Sequence, residues 1–242
     1  TGKPQVLVAE DNIVNQEVTR EMLVELGYDV TVAENGQEAV EAFKKGGYSA
    51  ILMDCQMPVM TGQEATMAIR ELEHDGNLRA IPILALTANV MAEDKRNALE
   101  SGMDDFLIKP INPNDLEAAL KKWLETTDTI IGADIEDTKT EVLTSDVRRS
   151  KRVIELFLKD LNDRIPAIDS AISSGNANEL LQLAHGLKGS SLQIGAPGLA
   201  SLARDLESVG SLTRLENARE VLEQLNSEVE RVKSALEDTV QT

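Results

Sequence analysis

Short apolar runs alternate with stretches of helical periodicity between residues 5 and 124. Such alternation is typical of a parallel sheet, because each crossover between parallel strands needs a helix and the helices cover both faces. The pattern predicts an α/β domain with a doubly wound, five-stranded parallel sheet. Predicted strands cover 6–9, 30–33, 50–53, 82–88 and 106–108, and predicted helices cover 13–26, 36–45, 62–74, 92–101 and 112–124.

A second periodicity follows the segment 125–145, which is rich in Thr, Asp and Glu and is interpreted as a linker. Beyond it, apolar residues recur at steps of three and four without strand signals, which is typical of an antiparallel helix bundle. We therefore predict a first domain over 1–124, a linker over 125–145 and an all-α four-helix bundle over 146–242.

Three residues mark the expected helix boundaries of this second domain. Asn176 is suited to an N-cap, and Pro197 is suited to the first turn of a helix. Pro166 is expected to kink or break the first long helix, because proline lacks the backbone N–H that a helix interior needs.

The charge of the chain limits its partners. The 242 residues include 42 acidic and 24 basic side chains, a formal charge of −18, which would repel nucleic acid and anionic lipid. A single cysteine, Cys55, excludes an internal disulfide, and no apolar run approaches the roughly 18 residues that span a bilayer. We expect a cytoplasmic protein and, because a strand begins almost at once without an initiating Met, a piece of a longer chain.

Polar side chains stand where four of the predicted strands end. Glu10 and Asp11 follow the first strand, Asp54 follows the third, and Thr87 and Lys109 follow the fourth and fifth. These ends converge at one edge of a parallel sheet, where three carboxylates favour a cation such as Mg²⁺. Each residue alone could be a helix cap or a solvated charge, but together they predict a phosphoryl-transfer site.

The blocks "VLVAEDN", "ILMDCQMPVMTG", "ILALTA" and "DFLIKP" resemble, in order and spacing, those of response-regulator receiver domains over about residues 5–124. The resemblance implies a flavodoxin-like fold with Asp54 as phosphoacceptor. It implies further roles for a set of neighbours: Glu10, Asp11 and the Gln56 carbonyl in holding Mg²⁺ with Asp54, Thr87 as a mobile hydroxyl, Lys109 as counter-ion, and Phe106 as a switch aromatic. It also suggests a cis peptide between Lys109 and Pro110.

His185 lies on the outward face of the predicted helix 176–194. At 100° per residue it falls about 140° from the apolar stripe, and Gly189 falls about 180° from it. Gly189 clears the approach to the imidazole, and Lys188 lies near enough to neutralise an anion there. An inert surface histidine is the simpler alternative, and Gln193 is a weak candidate for orienting the ring.

The segment "HGLKGSSLQIGAPGL" resembles the motif of histidine-containing phosphotransfer (HPt) domains, over about residues 141–238. The resemblance implies His185 as phosphoacceptor and Lys188 as its stabiliser. Gly186 departs from the family pattern, since this position usually carries a larger residue.

A receiver followed by an HPt domain resembles the C-terminal end of a tripartite hybrid sensor histidine kinase. We then expect Mg²⁺-dependent transfer from a kinase histidine to Asp54, from an aspartyl-phosphate to His185, and onward to a separate response regulator. The chain lacks the boxes of an ATP-binding kinase domain, so it would only relay phosphate, while a parent protein could be anchored in the inner membrane.

Two other functions stay open from the sequence. The first is an α/β phosphatase with an aspartyl nucleophile, although Gln56 stands where such enzymes usually carry a second acid. The second is a binding module in which phosphorylated Asp54 controls an effector while the HPt-like bundle is idle. Transfer from Asp54 to His185 within one chain or between protomers is equally open.

Overall fold

The computed structural model of the chain describes residues 2–76, 79–88, 92–125, 150–211 and 217–241. The chain divides into two compact units, one built on a sheet and one built from helices. The predicted linker falls almost wholly on residues 126–149, which lie outside the described residues. None of the described helices combines the length and the apolar character needed to cross a membrane.

The first unit is a five-stranded parallel sheet, as the sequence predicts, and its strands lie in the order β2-β1-β3-β4-β5. Helices alternate with the strands along the chain. The strands are β1 (Gln5–Ala9), β2 (Asp29–Ala33), β3 (Ala50–Asp54), β4 (Ile83–Thr87) and β5 (Asp105–Ile108). The helices are α1 (Ile13–Glu25), α2 (Gly36–Lys45), α3 (Gly62–Asp75), α4 (Ala92–Glu100) and α5 (Pro113–Glu125).

The central strands explain why the sheet forms. Every residue of β3 and β4 is buried, and their near-continuous apolar sequences suit strands covered on both faces. Thr61 and Glu64 form a capping box that begins α3 directly after the loop that follows Asp54. The polar end of β3 is therefore held between a buried strand and a helix with a fixed start.

Arg70 of α3 forms a hydrogen-bond network at the end of the sheet opposite to Asp54. Its guanidinium donates to the Gly102 and Ile81 carbonyls and pairs with Glu73 and Asp104, both at 2.6 Å. These bonds join α3 to the segments that lead into β4 and β5. This network lies at the amino ends of those strands, so the sheet edge that carries the acidic residues remains free of it.

The second unit is a four-helix bundle made of α6 (Lys151–Ser174), α7 (Ala177–Ile194), α8 (Pro197–Ser211) and α9 (Ala218–Gln241). Each helix contacts the next, and α6 also contacts α9, which closes the bundle. Asn176 caps α7 and Pro197 begins α8, as predicted. The core is filled by buried apolar side chains, among them Phe157, Leu161, Leu180, Leu187, Leu199, Leu206 and Leu225.

The expected break at Pro166 does not occur. Helix α6 continues from Lys151 to Ser174 with Pro166 inside it. Leu161 and Ile168, on either side of the proline, are both fully buried. Packing of these turns against the bundle offsets the backbone hydrogen bond that proline cannot donate.

Candidate functional sites

Three carboxylates meet at the carboxyl edge of the sheet. Glu10 and Asp11 directly follow β1, and Asp54 is the last residue of its neighbour β3. One oxygen from each carboxylate lies within 4.8 Å of the other two. Glu10 and Asp54 are buried, whereas Asp11 is exposed at the mouth of the cluster. This all-oxygen set has the donor chemistry of a divalent-cation site.

Lys109 reaches this cluster from the end of β5. Its Nζ donates to Asp54 Oδ2 at 2.6 Å and to Glu10 Oε2 at 2.5 Å, and its backbone N–H donates to the Thr87 carbonyl at 2.8 Å. Burial alone would lower the pKa of Lys109, but the charges of Asp54 and Glu10 outweigh it and raise the pKa above its usual 10.5. The ammonium therefore stays charged. The Lys109-Pro110 peptide is cis, as expected.

The backbone around Asp54 is closely packed. The Gln56 N–H donates to Asp54 Oδ1 at 3.2 Å, and the Gly62 N–H donates to the Cys55 carbonyl at 3.2 Å. A Cβ at position 62 would overlap the Asp54 carbonyl oxygen, so only glycine lets α3 begin this close to the end of β3. The sequence alone indicated no role for Gly62, although its position directly after Thr61, the N-cap of α3, was a signal.

Thr87 and Phe106 stand where the sequence predicts, at the end of β4 and within β5. Thr87 is nearly buried at the same edge as Asp54. Phe106 is half-buried and packs partly against the core on one side of the sheet. Their roles as mobile hydroxyl and switch aromatic remain predictions.

A second cluster surrounds His185 on α7. His185 Nδ1 lies 2.7 Å from Glu207 Oε1, and Lys188 Nζ donates to Glu207 Oε2 at 2.5 Å. Burial alone would raise the pKa of Glu207, but the hydrogen bonds from His185 and Lys188 lower it to about 2. Glu207 is thus an anion that binds both residues singled out in the sequence.

The ionised Glu207 can only accept a hydrogen bond, so it selects the His185 tautomer with hydrogen on Nδ1. The Nε2 atom then carries the free lone pair, and about a third (32%) of the side chain is exposed. Glu207 was missed in the sequence because it lies 22 residues from His185, on α8, and only the α7–α8 pairing brings it close. Gln193 makes no hydrogen bond to any described residue through Nε2, so Glu207 holds the ring instead.

The two clusters are characteristic of two-component signalling proteins. Residues 6–121 match the model of the response regulator receiver domain, and residues 152–235 match the model of the Hpt domain. The chain is 31% identical over 221 residues to the sensor protein GacS of Pseudomonas syringae pv. syringae, covering 85% of this chain and 24% of GacS. It is 30% identical over 238 residues to the aerobic respiration control sensor protein ArcB of Escherichia coli K12, covering 92% of this chain and 30% of ArcB.

The solved structures include a further relative. The co-crystal structure of the Saccharomyces cerevisiae histidine phosphotransfer protein Ypd1 with the receiver domain of its downstream response regulator Ssk1 matches 53% of this chain and 94% of the aligned chain. The identity is 39% and the TM-score is 0.50. The present chain spans less than a third of the length of GacS and ArcB.

The chain therefore contains a response regulator receiver domain followed by an Hpt domain, and it is a two-component phosphorelay module.

Proposed function

We propose that this chain relays a phosphoryl group from a kinase histidine to Asp54, from an aspartyl-phosphate to His185, and from His185 to a separate response regulator. The observation that carries the proposal is that both proposed acceptors, Asp54 and His185, lie beside the groups that phosphoryl transfer needs. Asp54 lies among two further carboxylates and Lys109, and His185 is bonded through Nδ1 to Glu207.

In the first step an Asp54 carboxylate oxygen attacks the phosphorus of the kinase phosphohistidine. An O–P bond forms, the N–P bond breaks, and the kinase imidazole leaves. Lys109 supplies positive charge beside the oxygens of the transferred group, and the Thr87 hydroxyl donates to one of them. A Mg²⁺ ion held by Glu10, Asp11, Asp54 and the Gln56 carbonyl would neutralise the remaining charge of these oxygens.

In the second step the His185 Nε2 lone pair attacks the phosphorus of an aspartyl-phosphate. The N–P bond forms as the O–P bond breaks, which restores the aspartate carboxylate. The hydrogen on Nδ1 stays in place, so the product imidazole ring gains positive charge beside the Glu207 carboxylate. No proton has to leave the site, and Lys188 offers a cation on the same side of α7.

The Ypd1–Ssk1 complex joins a histidine phosphotransfer protein to the receiver of a downstream regulator. That pairing supports a response regulator as the recipient of the His185 phosphoryl group. GacS and ArcB, each a sensor protein by name, support an upstream sensor kinase as donor. We propose that the phosphoryl transfers take place in the cytoplasm.

The test labels the whole chain with radioactive acetyl phosphate and Mg²⁺ and separates alkali-labile aspartyl-phosphate from alkali-stable phosphohistidine. The unaltered chain is expected to carry both, His185→Gln only the alkali-labile form, and Asp54→Asn neither. Alkali-stable label that persists in His185→Gln would contradict the relay. Release of inorganic phosphate from Asp54 with no phosphohistidine in the unaltered chain would instead support a phosphatase.

A further inference from the structure

Gly186, the residue next to His185, leaves room for an arginine from another helix. A Cβ built at position 186 would lie 2.5 Å from Nη1 of Arg164 and 3.1 Å from its Cζ. The guanidinium of Arg164, which projects from α6, therefore lies against the backbone of α7. A larger residue at position 186 would require Arg164 to move.

Asp160 fixes the orientation of this guanidinium. Arg164 Nε lies 3.2 and 3.1 Å from the two Asp160 oxygens, and Nη2 lies 2.7 Å from Oδ1. Nε and Nη2 thus both bind the Asp160 carboxylate, which lies one turn earlier on α6. Among the residues that the structure describes, Nη1 has no hydrogen-bond partner, and Nη1 is the nitrogen nearest to Gly186.

The orientation of His185 adds to this arrangement. Its Nδ1 is bonded to Glu207 of α8, and the two nitrogens of an imidazole point in divergent directions, so Nε2 points away from α8. Gly186 follows His185 by 100° around α7, on the side away from Lys188. Lys188 and Gly186, against which Arg164 lies, thus fall on opposite sides of His185 around α7.

Resting on the relay function proposed above, we propose that Arg164 binds the phosphoryl group carried by His185, with the free Nη1 donating to a phosphoryl oxygen. A phosphoryl group on Nε2 carries nearly two negative charges, and Lys188 is already paired with the Glu207 carboxylate. A guanidinium offers planar, directed donors that match phosphoryl oxygens. Gly186 is then the residue that admits the arginine.

The first test compares transfer to His185 in whole-chain variants labelled with acetyl phosphate and Mg²⁺. Arg164→Met keeps the aliphatic cover over Gly186 but removes the donors, and Arg164→Ala removes both. Each is expected to lower the initial rate of alkali-stable labelling by about tenfold, the size of one lost charge-assisted hydrogen bond in a transition state. Arg164→Lys, which keeps charge without the fork, should fall between.

The matched control is Arg219→Ala, which removes an exposed arginine of α9 that pairs with Asp169 of α6. It should label like the unaltered chain. Transfer at the unaltered rate in both Arg164→Met and Arg164→Ala would overturn the role of Arg164 while leaving the relay intact. Absence of His185-dependent label in the unaltered chain would instead refute the relay, and this proposal with it.

A second test needs no substitution and so does not depend on how the variants fold. In the unaltered chain, ¹⁵N–¹H spectra of arginine side chains are recorded before and after phosphorylation. The Arg164 Nε–H signal is expected to shift in the phosphorylated chain and to stay in place in phosphorylated His185→Gln, while Arg219 stays unchanged in both. An Arg164 signal that does not respond to His185 phosphorylation would overturn the proposal.

Discussion

Glu207 on α8 lies 2.7 Å from Nδ1 of His185 on α7 and holds Lys188 through its other oxygen. This one carboxylate sets the tautomer of the histidine and the position of the neighbouring cation. Free imidazole in water has no such constraint, so the arrangement prepares Nε2 for the proposed attack on phosphorus before a partner arrives.

Replacing Glu207 by glutamine is expected to disturb the histidine without removing it. The amide can still accept a hydrogen bond, but it has no charge and can also present a donor to the ring, so the Nδ1–H tautomer is no longer selected. We expect phosphorylation of His185 to slow about tenfold, the size of a lost charge-assisted hydrogen bond. Imidazole ¹⁵N shifts should report a mixed tautomer population.

The control is Glu223→Gln, an exposed glutamate of α9. It should leave both the tautomer and the rate unchanged. An unchanged Nδ1–H tautomer in Glu207→Gln would contradict the positioning role, and a slower rate beside it would reflect the lost negative charge next to the ring.

Glu207 should also make bundle stability depend on pH. Its pKa is about 2 in the folded chain and is ordinarily 4.5. Because this pKa is lowered on folding, Glu207 binds a proton at a higher pH in the unfolded chain than in the folded one. The stabilisation that Glu207 gives to the folded bundle is therefore complete above about pH 4.5 and is lost as pH falls towards 2. Hydrogen exchange of α7 amides should show this loss. The fall of bundle stability with pH should be shallower in Glu207→Gln. An identical fall in both chains would show that protonation of Glu207 is not its cause.

The fold was predictable because its signals are local, whereas part of the site depends on pairing between distant segments. Alternation of apolar runs predicted the sheet, and the ends of β1 and β3 placed Glu10, Asp11 and Asp54 together. No local sequence pattern marks Glu207, because any exposed acidic residue of α8 would give the same pattern in the sequence. The absence of a break at Pro166 has a related reason, because the packing that keeps α6 continuous is tertiary.

Asp54→Asn should stabilise the receiver in the absence of divalent cations. Glu10, Asp11 and Asp54 bring three negative charges together, and Lys109 offsets only part of them. Trp123 is the single tryptophan and lies in α5, so its fluorescence follows unfolding of this domain. Without cations the thermal midpoint of Asp54→Asn is expected to exceed that of the unaltered chain.

Added Mg²⁺ should reverse that order, because an ion that binds only the folded state raises the midpoint, and raises it more the tighter it binds. The unaltered chain is expected to gain stability from Mg²⁺, and Asp54→Asn is expected to gain much less. Asp75→Asn, which changes an exposed carboxylate at the end of α3, is the control and should respond like the unaltered chain. Equal gains in all three chains would show that Mg²⁺ does not bind at Asp54.

Two adjacent serines of α7 should respond differently to replacement by alanine. Both are fully buried, but Ser190 Oγ lies 3.1 and 3.2 Å from the Gly186 and Leu187 carbonyls, whereas Ser191 Oγ has no partner among the described residues. A buried hydroxyl without a partner costs about 1–3 kcal/mol. Ser191→Ala is therefore expected to raise the free energy of unfolding of the bundle by about 1 kcal/mol or more.

Ser190→Ala is the matched control, because the gain in helix propensity from serine to alanine is the same at both positions. It loses a hydrogen bond worth about 1 kcal/mol and should be neutral or destabilising. Hydrogen exchange of the slowest α7 amides measures both variants, since these amides open only on global unfolding. A stability for Ser191→Ala that does not exceed that of Ser190→Ala would mean that the Ser191 hydroxyl is bonded in solution, with buried water as the partner to look for.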